Sequence, residues 1–335
     1  MLSKVTVEGT EHVAPTLSVI IPAFNVQDFI AATIESVLSQ SFRDMEVIVV
    51  DDGSTDTTLQ VITGFQDPRI RVIHKENCGL SAARNTGIRV AQGRYIALLD
   101  GDDVWFPGYA ERHVAAMESD SYIGITHSYL AYIDEAGKKT GQLLITRKSR
   151  VTLTEMIIRN HLNSQVVVRR ECFAEAGLFN EELRACEDHE MWVRILHRTR
   201  FQTILIPAVL CGYRVRTDSL TMQFDHQIAN ALKVVDIFKQ EIGISLRLQR
   251  RSLAEVYRIC SRKALSNGQK RDAAHLMVEA LQQSPWLVFT DIRAFGTFCL
   301  VMLEFVLPER IRRVPYECVH RLMQVVYRQL ISKKS

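Results

Sequence analysis

The sequence predicts an α/β protein: a mostly parallel sheet with helices on both faces, plus an α-helical C-terminal region. Short apolar runs at 17–24, 45–52, 69–76 and 94–100 alternate with helix-period segments through the first hundred residues. The runs end in polar or acidic residues, as strands do where they feed helices at the rim of an open sheet. After about residue 222 glycine and proline thin out and helical periodicity takes over. The expected parts are an N-terminal tail over 1–15, an α/β domain over 16–221 and a helical region over 222–335.

Taken in order, "LSVIIPAF" (17–24) is a buried-strand run, and after Asp28 the residues Ile30, Ile34, Val37 and Leu38 fall on one helical face. "MEVIVVDD" (45–52) is a second strand, and "GSTDTT" opens the next helix with good capping residues. "RIRVIHKE" (69–76) is a third, followed by the helix "LSAARNTGIRVAQ". "RYIALLD" (94–100) is a fourth and runs into a cluster of acids. Right-handed crossovers put the carboxyl ends of these strands on one edge. The loops "NVQDF", "DDGSTD", "ENCGLS" and "DGDDVW" therefore converge on one cleft. Farther on, 151–177 reads as helix, strand, helix. Residues 177–196 read as a loop that enters a helix at Glu187 and Asp188, with Met191, Trp192, Ile195 and Leu196 as its apolar face. The stretch 252–286 reads as two helices joined at "SNGQ", faintly like one tetratricopeptide hairpin and too little for a solenoid.

Composition narrows the partners. A net charge of +3 over 335 residues argues against a nucleic-acid partner. Seven scattered cysteines without a CxxC pair fit a reducing compartment better than a disulfide framework. The N-terminus lacks the apolar core of a signal peptide, and the longest apolar run, 295–307, is too short to span a bilayer and carries Glu304. A cytoplasmic location follows, with the inner face of the plasma membrane as a candidate contact.

The acids at the strand ends carry the chemistry. Asp100, Asp102 and Asp103 stand within four residues, and such neighbours repel unless a cation or donors compensate. Oxygen ligands beside a flexible glycine suit Mg²⁺ or Mn²⁺, although a solvated acidic turn has the same sequence. Asp51 and Asp52 read either as turn formers or as acceptors for a nucleobase N–H or ribose hydroxyls. Phe24, just past the first strand, reads as core or as a face for a base to stack on. An acid at the start of a helix, as at Glu187–Asp188, is also an ordinary N-terminal cap.

Together "SVIIPAFN", "IVVDDGSTDTT", "GLSAARNTGI" and "GRYIALLDGDDVWFPG", in this order and spacing, resemble the inverting family-2 glycosyltransferases with the GT-A fold, from about residue 16 to about 216. The resemblance implies a nucleotide-diphosphate sugar donor, a divalent cation and a saccharide or lipid-linked acceptor in polysaccharide or glycolipid synthesis. It implies that Pro22, Ala23, Phe24 and Asp52 lie along base and ribose. Asp102 would be the metal ligand, with Asp100 or Asp103 on the ribose or a metal-bound water. Arg84 would face the diphosphate or brace the sheet. The "ED" block implies Asp188 as general base, taking the proton of the attacking hydroxyl, with Glu187 on the acceptor side. "LCGYRVRTDSLT" (210–221) resembles the segment after the base, where a Tyr-Arg pair precedes a histidine; Arg216 stands in that histidine's place. An arginine cannot ligate a metal but can pair with phosphate, so Arg214 or Arg216 is expected at the departing diphosphate. His161 and Asn163 are candidates for the acceptor side or for structural roles.

The chain's end is basic, and Val319, Leu322, Met323, Val326 and Leu330 form one apolar stripe. Such a helix lies on an anionic membrane or packs on its own domain. A metal-dependent nucleotidyltransferase would carry a glycine- and basic-rich phosphate loop after the first strand, and "PAFNVQDF" has neither. A catalytically silent nucleotide-sugar-binding module would lack the base or the metal acids, and both are present.

Overall fold

The computed structural model describes residues 14–146, 148–216 and 224–306. Its elements are β1 (Leu17–Ala23), α1 (Ile30–Leu38), β2 (Met45–Asp51), α2 (Thr58–Thr63), β3 (Ile70–His74), α3 (Leu80–Val90) and β4 (Tyr95–Leu98). There follow β5 (Val104–Trp105), α4 (Tyr109–Ser119), β6 (Ile123–Ile133), β7 (Lys139–Leu144), α5 (Leu153–Ile158), β8 (Val167–Arg169), α6 (Arg170–Ala176), α7 (Glu187–Arg198) and β9 (Gln202–Arg214). The rest is helical: α8 (Phe224–Ile242), α9 (Leu246–Ser266), α10 (Lys270–Gln283), α11 (Leu287–Thr290) and α12 (Ile292–Val306). The apolar stripe at 319–330 lies outside the described residues.

The strands form one sheet in the order β3-β2-β1-β4-β8-β6-β9-β5, with β7 paired to β6. The β3-β2-β1-β4 half is wholly parallel, as its alternation with helices requires. Beyond β4 the sheet is mixed, for β8 runs antiparallel to β4 and to β6, while β6 and β9 are parallel. Among the described residues antiparallel pairing therefore enters only beyond β4. Every residue of β1 is buried, as expected of a strand covered on both faces. Leu17, Val19 and Ile21 join a core with Ile30, Ile34 and Val37 of α1, Ile62 of α2, and Tyr109 and Val114 of α4. On the opposite face α3 comes so close that a Cβ on Gly87 would lie 2.5 Å from Ile20 Cγ2. That glycine is the space for close helix–sheet packing.

Contacts divide the chain into two units that are not contiguous in sequence. One takes in Met1–Val151, Leu162–Glu187 and Arg194–Arg216, the other Thr152–His161, Asp188–Val193 and Thr217–Ser335. The sequence alone suggests a single boundary near 222; two short earlier segments join the helical unit as well. In that unit α9 and α10 enclose a small core of Cys260, Ala264, Ala273, Leu276 and Met277, joined by Val301 of α12. Its short helix α5 starts on a capping box, with Thr152 Oγ1 accepting from the Glu155 N–H and Glu155 Oε2 accepting from the Thr152 N–H.

One core residue of the sheet unit makes stability depend on pH. His113 of α4 is fully buried against Thr126 Oγ1 at 2.7 Å, and burial, then the nearby His127, push its pKa down to about 3. The folded protein holds this ring neutral, whereas the unfolded chain protonates it near the ordinary value of 6.5. Between those values the unfolded state binds the extra proton, so stability falls as pH falls, by about 1.4 kcal/mol per unit at mid-window. Urea unfolding at pH 7 and pH 5 should show that loss in the native chain and a clearly shallower one in His113→Gln. Equal slopes would refute it.

Candidate active site

The site is built at the carboxyl edge of the parallel half, beside β1, where neighbouring strands lead to opposite sides of the sheet. Strand register brings Ala23 level with Asp51, and Asp51 level with His74. The turn after β4 lies against the end of β1: a Cβ on Gly101 would sit 2.8 Å from the Pro22 carbonyl oxygen. Only glycine fits between the acids there. Thr33 of α1 holds the same turn, its hydroxyl donating to the Gly101 and Asp103 carbonyls at 2.9 and 2.7 Å.

Phe24 projects from this edge and is 46% exposed, so its ring is open to a ligand and does not belong to the core. The next residue, Asn25, has a left-handed backbone (φ 50°), a conformation Asn tolerates better than most side chains. Its side-chain oxygen accepts the Thr55 N–H at 2.8 Å, and its own N–H donates to Ser54 Oγ at 3.1 Å. The loops after β1 and β2 are thus fastened to each other.

The paired acids after β2 are both buried and both engaged. Asp51 meets His74 Nδ1 at 2.6 Å and accepts the Ser54 N–H at 3.4 Å. Asp52 takes Lys75 Nζ at 2.5 Å and the N–H groups of Cys78 and Gly79 at 3.1 and 2.7 Å. Asp52 thereby pins the start of α3, and Lys75 supplies the cation that the sequence reading did not assign it.

Arg84 of α3 is almost wholly buried and braces two acids from different parts of the chain. Its guanidinium donates to Asp100 Oδ1 at 2.6 Å and to Glu187 Oε1 at 2.7 Å, and stands 5.5 Å over the Phe179 ring. Of the two roles expected for Arg84, these contacts fit the brace. Asp103 is buried, with Gln165 Nε2 at 2.7 Å on one oxygen and the Arg214 N–H at 2.8 Å on the other. Burial, then the charges of Asp102 and Asp100, push its carboxyl well up. Asp103 therefore fastens β9 to the acidic turn. The Arg214 guanidinium is likewise occupied, donating to the carbonyls of Asp102, Asp134 and Glu135 at 2.7 to 2.9 Å. Arg216 reaches Asp102 Oδ2 at 3.2 Å and lies over the Phe29 ring.

Asp102 is the acid of the turn with both a partly open side chain and a raised pKa. Burial, then the charge of Asp100, push it up against the pull of Arg216. Excess negative charge on hard oxygens fits a divalent cation. Among the described residues no group of three or more His, Cys, Asp or Glu side chains is arranged to hold a metal ion. Most of its coordination would fall to phosphate and water, as is usual for Mg²⁺.

Glu187 and Asp188 open α7, and the residue before them, Cys186, has a left-handed backbone (φ 61°). Such strain in a residue other than glycine gathers at functional sites. Asp188 accepts the His189 N–H at 2.7 Å and the Asn160 side-chain N–H at 2.9 Å. Asn163 donates to the Ser128 carbonyl at 3.1 Å. Asn160 was not foreseen, although it adjoins the singled-out His161; Gln165, Phe29 and His74 carried no sequence signal at all.

Residues 18–176 match the family described as glycosyl transferase family 2. An uncharacterized glycosyltransferase of Haemophilus influenzae is 29% identical over 265 residues, 73% of this chain and 81% of the relative. An Escherichia coli UDP-Glc:alpha-D-GlcNAc-diphosphoundecaprenol beta-1,3-glucosyltransferase is 41% identical over 120 residues, 36% of this chain and 47% of that protein. Among solved structures, a Pyrobaculum calidifontis mannosyltransferase in complex with GDP-Man and Mn²⁺ has the same fold, with a TM-score of 0.54 at 18% identity, covering 88% of each chain. The chain spans from 30% to 81% of the length of the curated relatives it matches. Four sequence blocks in order, the sheet that presents them and these likenesses agree: the chain belongs to glycosyltransferase family 2 and has the GT-A fold.

Proposed function

We propose that the protein is an inverting, metal-assisted glycosyltransferase that moves a sugar from a nucleotide-diphosphate donor to a hydroxyl of a saccharide or lipid-linked acceptor, in polysaccharide or glycolipid synthesis. The observation that carries this is the meeting of Phe24, Asp52 and the Asp100–Asp102 turn at the carboxyl edge of β1, β2 and β4. Phe24 offers the base a stacking face, and the β1–β2 edge receives the ribose. Asp102, with Asp100 near it, would hold Mg²⁺ or Mn²⁺, which when bound offsets the charge of the donor's diphosphate. Arg216 offsets the Asp102 charge and would turn its guanidinium to phosphate.

Asp188 acts as the base. The acceptor oxygen attacks the anomeric carbon as the bond from that carbon to the diphosphate oxygen breaks. The hydroxyl proton passes to Asp188, the nucleoside diphosphate departs, and attack from the opposite face inverts the centre. Asn160 and the His189 N–H orient that carboxylate. A reducing, cytoplasmic setting suits the buried thiols of Cys172 and Cys211, which burial keeps protonated. Among the described residues no helix is long and apolar enough to cross a membrane.

The test is a panel of UDP-, GDP- and dTDP-sugars with Mn²⁺, scored for slow donor hydrolysis. One donor should be turned over, and chelation of the metal or Asp102→Ala should abolish it. No turnover and no binding of any donor, or turnover indifferent to chelator, would refute the reading.

A further inference from the structure

No group of the C-terminal helices enters the proposed chemistry, yet the proposed base is grouped with them. The helical unit takes in Thr152–His161 and Asp188–Val193, whereas Phe24, Asp52 and Asp102 belong to the sheet unit. Within the helical unit the hold on Asp188 can be followed from bond to bond.

Asp188 accepts the His189 N–H at 2.7 Å and the Asn160 side-chain N–H at 2.9 Å. His189 is itself held on two sides. Its Nε2 donates to the Met156 carbonyl of α5 at 2.5 Å, and its ring stands edge-on to Phe238 of α8 at 5.6 Å. Phe238 is buried, so it offers the ring a fixed wall. A side chain caught between a carbonyl and a packed aromatic fixes the backbone that bears its own N–H.

Asn160 depends on α5, which ends two residues before it. Six residues are too few for a helix to hold its own shape in water, so α5 takes its position from what it packs against. It packs on α9, where the buried Ser252 hydroxyl donates to the Ile157 carbonyl at 2.9 Å. The last carbonyls of a helix have no partner within it. Those of Met156 and Ile157 are taken by His189 and Ser252, so the end of α5 is closed by side chains from α7 and α9. Arg159, just past that end, lies 3.6 Å from Glu255 of α9, which Arg258 grips through two hydrogen bonds of 2.8 Å. The ties converge: they meet the turn that leads to Asn160, and one of them starts from the residue whose N–H Asp188 accepts.

We propose that Ser252 and the His189 side chain are positioning residues for sugar transfer. They fix the end of α5, and through it the donors that aim the Asp188 carboxylate. Helices α8 and α9 thereby gain a role, as the mount of the base. This rests on Asp188 acting as the base and adds which residues keep it in place.

The test is amide hydrogen exchange of the full chain without ligand, set beside hydrolysis of the sugar nucleotide that the donor panel selects. In Ser252→Ala, amides of 156–162 and 188–193 should exchange about fivefold faster, the weight of one hydrogen bond, while β1, β2 and β4 keep native rates. Its kcat should fall about tenfold, as small misplacements of a reacting group do, with donor affinity within about twofold of native. His189→Phe keeps a ring against Phe238 and loses the donor. It should show the same pair of changes, and it carries the test should Ser252→Ala fail to fold. His189→Gln, whose amide N–H would reach the Met156 carbonyl, should recover most of the loss. In an Asn160→Ala background Ser252→Ala should slow kcat much less than it does alone, because a tie to Asp188 is already cut. Native exchange in both variants, a loss of donor affinity equal to that of kcat, or fully additive losses with Asn160→Ala would overturn the proposal. If Asp188→Asn keeps the native kcat, the base reading itself falls and takes the positioning role with it. If Asp188→Asn is slow while Ser252→Ala and His189→Phe are not, the positioning role alone falls. Exchange needs no donor, so it reports on the anchoring whatever the panel finds.

Discussion

Asp188→Asn should lower kcat by about 10²- to 10⁴-fold and leave donor affinity within a factor of about two, the range general bases supply. The expectation follows from what the substitution keeps. Asp188 Oδ1 accepts the His189 N–H and its Oδ2 accepts from the Asn160 side chain. An amide of the same shape keeps one of those acceptors and gives up the basic lone pair. The packing of α7 barely changes, because its buried face is formed by Met191, Trp192 and Ile195. On the proposed role, what disappears is a place for the acceptor's proton, which is needed as the oxygen attacks and not when the donor binds. Steady-state rates at saturating donor and acceptor, with donor titration beside them, separate the two. A variant keeping more than a tenth of the native kcat would show that the proton leaves by another route. Glu187→Gln is a different experiment, for its carboxylate is bound to Arg84 and its loss acts on the scaffold.

The sequence already contained the nucleotide half of the site. Apolar runs of strand length, each ending in turn-forming or acidic residues, are the direct expression of a parallel sheet whose strands are buried on both faces. Once order and handedness are known, topology puts the strand ends together. Pro22–Phe24, Asp51–Asp52 and Asp100–Asp102 can therefore be placed on one edge from the sequence alone. What stayed hidden was which polar groups the protein spends on itself. Asp103 and Arg214 look like ligands in the sequence, yet Asp103 meets Gln165 from a position 62 residues away and Arg214 closes on three carbonyls. Nothing local distinguishes a carboxylate aimed at a neighbouring strand from one aimed at a ligand. The mixed half of the sheet was opaque for a related reason, since β8 pairs with β4 through three residues and β5 with β9 through two. Strands that short leave no periodicity to read.

The same distinction between internal and ligand-facing charge gives the second large effect, on stability. Arg84→Met should destabilise the sheet unit by about 3–5 kcal/mol, the cost of removing one partner from a buried ion pair. Its guanidinium is the shared partner of Asp100 and Glu187, with Glu187 nearly closed to solvent and Asp100 about a quarter exposed. Asp100 can hydrate when the arginine goes; Glu187 cannot, so most of the penalty sits on Glu187. Two consequences separate this account from simple loss of packing, to which Arg84 also contributes through Phe179. Glu187→Gln should be harmful in the native chain yet should restore part of the stability of Arg84→Met, because a neutral amide no longer needs the cation. A coupling of about 0.5–3 kcal/mol between the two positions is the expected size for a direct contact. Arg84→Lys should recover little, since one ammonium cannot reach two carboxylates as a planar fork does. Denaturant unfolding of the four members of the cycle measures the coupling; additive losses would mean that Arg84 serves packing alone. Because Asp100 follows β4 directly into the turn that holds Asp102, loosening it should also weaken donor binding in Mn²⁺. The brace that stabilises the sheet would then be the same contact that sets the geometry of the acids proposed to hold the metal.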